Sequence, residues 1–100
     1  MREYVYLIRP MRAGFAEGPT PRENEVMSRH FEYLKNLHSR GTLLLAGPCL
    51  DTTFGVSIFL AESDDEAQAI MQNDPAVRDG VMSPELHEFR VSLFQAGYSR

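Results

Sequence analysis

The chain has 100 residues, a formal net charge of −4 and an ordinary globular composition, 43% hydrophobic, 24% charged and 10% aromatic. That length fits one domain and excludes a complete dinucleotide-binding fold or an eightfold strand–helix barrel. It also leaves little room for a deep pocket inside one chain. The nine Arg and single Lys are scattered, apart from a local Arg9 and Arg12 grouping, and this argues against a nucleic-acid partner.

Tyr4 to Ile8 is rich in strand formers and ends at Arg9-Pro10, so it reads as strand 1. Its apolar run is too short for a signal peptide or a membrane span, and no other segment comes closer. Residues 10–21 carry Pro10, Gly14, Gly18, Pro19 and Pro21 and read as a loop long enough to be functional or mobile. Thr20-Pro21-Arg22-Glu23 is a capping box with proline at the first helical position. Val26, His30, Tyr33, Leu34 and Leu37 then form one apolar stripe at helical spacing, and Gly41 is the expected left-handed stop. Thr42 to Ala46 reads as strand 2, Gly47 to Asp51 as a turn, and Phe54 to Leu60 as strand 3, paired with strand 2 in an antiparallel hairpin. Ser63-Asp64-Asp65-Glu66 opens helix 2 with a second capping box and acids at the favourable end of the dipole. That helix buries Ala67, Ile70 and Met71 and stops before Asp74-Pro75, since a residue before proline avoids the helical region. Asp74 to Gly80 is a turn or a single helical turn. Leu86 to Phe94 reads as strand 4 with Phe89, Val91 and Leu93 inward, and residues 96–100 as a frayed tail.

The order β-α-β-β-α-β predicts an α+β, ferredoxin-like domain spanning residues 1–100. Right-handed crossovers put both helices on one face of a four-stranded antiparallel sheet. Strands 1 and 2 are largely apolar at both sets of alternating positions, so the uncovered face would expose a large apolar patch. This predicts a homodimer through the open sheet face.

His30 lies mid-helix on the apolar stripe. It reads either as a semi-buried structural histidine or as a general base or acid near working pH. Asp74 reads either as the cap of the following turn or as the carboxylate that orients such a histidine. His38, at the end of helix 1, reads as solvated, and His87 as sharing the inward face with Phe89. The three histidines lack metal-ligand spacing, so no metal site is expected. Cys49 is alone, which excludes a disulfide within the chain and fits a reducing cytoplasm. It has no basic neighbours and reads as a plain turn residue. Gly14 to Gly18 lacks the Lys-Ser/Thr of a phosphate loop, and Ser57 and Ser92 lack a nucleophile elbow.

The segments His30-Phe31-Glu32-Tyr33-Leu34, Gly41-Thr42-Leu43-Leu44-Leu45-Ala46-Gly47-Pro48, Gly55, Glu66-Ala67, Asp74-Pro75-Ala76-Val77 and Gly80 together resemble the YCII-related (YciI-like) family. The shared pattern is a mid-helix histidine, a Gly-x-Leu strand ending in Gly-Pro, and an Asp-Pro after helix 2. The loop at 10–21 is longer than in the shorter members. The resemblance implies the dimeric α/β-barrel superfamily and a His–Asp pair, here His30 and Asp74, as the proposed catalytic residues. It implies cofactor-independent chemistry, since relatives in the superfamily carry out eliminations, isomerisations or oxidations on ring-degradation products. The leading expectation is a cytoplasmic lyase or isomerase that moves a proton on a small anionic or aromatic metabolite. Tyr6, Arg9, Gly47, Pro48 and Arg90 are the candidate substrate-binding residues, the two arginines as partners for a carboxylate or phenolate. A non-catalytic small-molecule-binding or accessory protein and a cofactorless oxygenase stand as alternatives.

Overall fold

The computed structural model describes residues 1–100. Its elements are β1 (Arg2–Pro10), α1 (Pro21–Ser39), β2 (Leu43–Pro48), β3 (Gly55–Ala61), α2 (Asp64–Gln72), the short α3 (Pro75–Arg78) and β4 (Met82–Phe89). All neighbouring strands pair antiparallel, in the order β2-β3-β1-β4. This is the expected ferredoxin-like sheet, with α3 added between α2 and β4.

Pleating divides β1 between two environments. Tyr4, Tyr6 and Ile8 are buried toward the helices, while Val5, Leu7 and Arg9 alternate with them on the other face. The helix-side core joins Tyr4, Tyr6, Ile8, Leu43 and Phe59 to Val26, Leu34 and Leu37 of α1, Ala67 and Met71 of α2, and Ala76 of α3. Tyr6 meets Phe59 edge-on, with ring centroids 5.5 Å apart, a favourable aromatic geometry.

The caps form as the residue types predict. The Thr20 hydroxyl accepts from the Glu23 amide at 3.1 Å, and the Thr20 amide donates back to Glu23 Oε1 at 2.8 Å. Gly41 ends α1 at φ +80°, a conformation that costs glycine nothing. Ser63 caps α2 through the Glu66 amide. The 11–20 segment is tied down by Arg12, whose Nε and Nη2 each donate to a Glu23 oxygen at 2.9 Å, while Nη2 also donates to the Gly18 carbonyl. Phe15 is thereby packed against the core.

Three expectations are corrected. β2 continues through Gly47-Pro48, which are the end of the strand rather than a turn. β4 lies at Met82–Phe89 instead of Leu86–Phe94, so Leu93 and Phe94 are exposed. The inward residues of β4 are Met82, Pro84 and Leu86, so His87 and Phe89 lie on the outer face. An edge strand tolerates Pro84 because only one of its sides must donate to a neighbour.

Candidate functional site

Asp74 lies at the junction of α2 and α3 and is fully buried. A buried carboxylate requires donors, and three converge on it. The Ala76 amide donates to Oδ1 at 2.9 Å, capping α3, and the Tyr6 hydroxyl donates to Oδ2 at 2.7 Å. The third is His30, whose Nδ1 lies 2.8 Å from both oxygens. Capping and orienting are therefore not alternatives at Asp74, because the same carboxylate does both.

This geometry fixes the imidazole. Nδ1 carries the proton that Asp74 accepts, and Nε2 makes no hydrogen bond within the chain. The His30 side chain is 12% exposed and lines a cleft of about 520 Å³ between α1, the 11–20 segment and the β2–β3 hairpin. The single chain forms a cleft of this size without a second copy.

The remaining sequence candidates divide sharply. Gly47, Pro48, Cys49 and Ser57 line the cleft with His30. Tyr6 does not; it stands behind Asp74 as a hydrogen-bond donor. Burial, reinforced by the Asp74 charge, pushes the Tyr6 phenol far above the usual tyrosine range and keeps it a donor. Burial and Asp74 also raise the nearby Tyr33, whose hydroxyl donates to the Ile70 carbonyl at 2.6 Å.

Arg9 and Arg90 are not in the cleft. Arg9 is on the outer face of β1, bonded to Glu85 at 2.7 Å and lying over the Phe54 ring. Arg90 follows the last residue of β4 and is exposed. The possible Arg9–Arg12 basic patch is absent as a unit, since each arginine holds its own carboxylate. His87 bonds Glu85 in the open, and His38 is exposed in the last turn of α1. No cluster of His, Cys, Asp and Glu could hold a metal ion. No helix is long and apolar enough to cross a membrane.

Sequence reasoning did not single out Phe15, Phe54, Met27 and Met82, which form much of the cleft wall. Phe15 lies in the irregular loop, where no periodicity marks a buried position. Phe54 borders β3, and its cleft-facing role depends on the packing of α1 against β2.

Comparison with known proteins identifies the family of the chain. The YCII-related domain family matches residues 3–90. The uncharacterised protein YjpA of Bacillus subtilis (strain 168) is 32% identical over 89 residues, covering 88% of this chain and 96% of that protein. A similar solved structure is the 5-chloro-2-hydroxyhydroquinone dehydrochlorinase TftG of Burkholderia phenoliruptrix AC1100, in complex with 2,5-dihydroxybenzoquinone. It superposes with a TM-score of 0.66 at 23% identity, covering 87% of this chain and 93% of that one. That likeness concerns the fold alone. With the family match spanning nearly the whole chain and a relative of similar length beside it, the chain belongs to the YCII-related family.

Proposed function

We propose that the protein is a cofactor-independent enzyme of the lyase or isomerase type, with His30 as the proton-transferring base and Asp74 as its positioning partner. One observation carries the reading. His30 Nδ1 is held between both oxygens of a buried carboxylate while Nε2 is left free on a cleft. In that tautomer Nε2 presents its lone pair to a bound molecule. It can take a proton from a C–H or O–H beside a carbonyl, and the electron pair left behind forms a new double bond. In an elimination the leaving group departs with its bonding electrons. In an isomerisation the imidazolium returns the proton to another atom. Asp74 stabilises that imidazolium without itself becoming protonated. Positioned acid–base catalysis supplies roughly 10²–10⁴-fold, enough for an activated substrate. The dehydrochlorinase that shares the fold, and its benzoquinone complex, support a small ring metabolite as substrate. Gly47 and Pro48 are the substrate-binding positions retained from the sequence, since both line the cleft.

The working unit in this reading is a homodimer in the cytoplasm. Val5, Leu7, Leu45, Val56, Ile58 and Leu60 fall on the sheet face that no helix covers, and a second copy would bury them. Gel filtration with light scattering at micromolar concentration is expected to give twice the chain mass, and a monomer would rule the dimer out. The single free Cys49 is consistent with a reducing compartment.

The test of the chemistry is turnover of hydroxylated quinols and chlorinated quinols, followed optically, by wild type and His30→Asn. A loss of at least about 10²-fold in kcat with KM little changed supports the base role. Undiminished turnover by His30→Asn would exclude it. Binding of such compounds without turnover by the wild type would favour the accessory-protein reading.

A further inference from the structure

We propose that the cleft selects an uncharged ring compound bearing a hydroxyl donor and rejects the corresponding carboxylate. The inference rests on the cleft being the functional site proposed above, and it narrows the ligand to one charge class.

The lining supplies the first observation. No Asp, Glu, Lys or Arg borders the cleft, and Phe15, Phe31, Leu34, Phe54 and Met82 are among the apolar residues that line it. A volume of about 520 Å³ suits a ligand of one or two rings. The aromatic walls match a flat apolar body, which gains from stacked or edge-on contacts.

The second observation is that three cations beside the cleft residues each hold a carboxylate, among them Lys35, whose Nζ lies 5.5 Å from the Phe31 ring centroid and donates to Glu32 at 3.1 Å. Arg9 bonds Glu85 at 2.7 Å and stays on the outer face, with its guanidinium 5.6 Å from the Phe54 ring centroid. Arg12 donates to both oxygens of Glu23 and to the Gly18 carbonyl. A carboxylate in the cleft would lose its water without gaining a cation, a costly exchange.

The third is the polarity of His30. With Nδ1–H given to Asp74, Nε2 offers a lone pair, which attracts an O–H and repels an anionic oxygen. A phenol or enol meets every condition, since its ring fills the apolar walls and its hydroxyl donates to Nε2. Phenols are uncharged near neutrality, as tyrosine is.

The experiment compares 4-propylphenol, 4-propylanisole and 4-propylbenzoate by calorimetry and ligand-observed NMR at pH 7.5, against wild type and His30→Asn. The phenol is expected to bind at least about tenfold more tightly than either analogue, the cost of one unpaired polar group. His30→Asn is expected to erase the phenol-over-anisole preference while leaving the benzoate weakest. The proposal fails if the benzoate binds as well as the phenol, if the ether matches the phenol, or if no neutral probe binds at millimolar concentration. Failure here is separable from failure of the catalytic reading. His30-dependent turnover of carboxylate substrates would overturn the ligand class and leave the base role intact. The phenol preference with full turnover in His30→Asn would do the reverse.

Discussion

The chain contains two histidine–carboxylate pairs, one on each face of the sheet. His30–Asp74 is on the helix side, with side-chain exposures of 12% and 0%, and His87–Glu85 is on the open side, with 56% and 44%. Both are within hydrogen-bond distance, so contact alone does not distinguish them. The difference lies in what surrounds the carboxylate. Asp74 is closed to solvent and is held by Tyr6, the Ala76 amide and His30. Glu85 is shared by His87 and Arg9, both in solvent. A buried carboxylate with fixed donors holds one geometry for its histidine, whereas a solvated pair is held only weakly. The two pairs show why a histidine–carboxylate contact is worth reading as chemistry only where the protein has excluded water from it.

The largest expected effect follows from removing the buried carboxylate. Asp74→Ala strands the Tyr6 hydroxyl, the Ala76 amide and the His30 Nδ1–H at once. Breaking a buried pair typically costs about 3–5 kcal/mol. In a domain of this size that lowers the thermal midpoint by more than about 10 °C. A shift of only a degree or two would make the two pairs equivalent and break the comparison. The consequence for interpretation is that His30 substitutions, not Asp74 substitutions, test the chemistry cleanly.

Tyr6→Phe sharpens the same contrast at intermediate size. The ring and its packing on Phe59 remain, and only the donor to Asp74 Oδ2 is lost. The expected destabilisation is about 1–2 kcal/mol, measured by urea unfolding with an unchanged slope. A change in slope would indicate that Tyr6 also shapes the denatured or native compactness.

Local signals in the sequence carried well where one short segment decides its own structure. Thr20 with Glu23, proline at the first helical position, Gly41 and Asp74-Pro75 each specify a terminus by nearest-neighbour hydrogen bonding or sterics. The alternation of β1 was visible too, but not which face would be covered, since Tyr4, Tyr6, Val5 and Leu7 are all apolar enough for either. β4 was displaced because Pro84 interrupts the strand pattern, and only the sheet order makes it an edge position. His30 and Asp74 could be named from their types and positions, although their meeting across 44 residues depends on how α3 docks against α1. Arg9 was misplaced for the plainest reason, a one-residue parity in β1 that turns it away from Tyr6 and Ile8.

Arg12–Glu23 stands between the two extremes, since the glutamate is buried and the arginine half-exposed. The Arg12 hydrogen bonds, with the Thr20 amide second, hold Glu23 down at about 2, below the ordinary 4.5. A depressed carboxylate adds stability that is fully present above its unfolded value and is lost as pH falls toward its folded one. The gap in melting temperature between wild type and Glu23→Gln is therefore expected to be constant above about pH 5 and to shrink between 4.5 and 2. A gap independent of pH would show that Arg12 holds the loop without help from the glutamate's charge.

The smallest effect belongs to His87–Glu85. Hydrogen bonding from His87, then from Arg9, lowers Glu85, so its contribution too is present at neutral pH and fades in acid. Both side chains are solvated, however, and salt screens what remains of their attraction. His87→Ala is expected to leave the monomer-unit stability unchanged in 0.5 M salt and to leave the proposed turnover at its wild-type level, because Arg9 still holds Glu85 and no cleft residue is altered. The informative measurement is the oligomeric state. His87 and Glu85 sit on the same uncovered face as Val5 and Leu7, their strand partners on β1. If a second copy covers that face, the pair becomes partly desolvated there and His87→Ala weakens dimerisation on dilution while sparing the fold. Dissociation constants equal for wild type and His87→Ala would place the pair at the rim, in water on both sides, and the contrast with His30–Asp74 would then hold in the assembled protein as it does in the single chain.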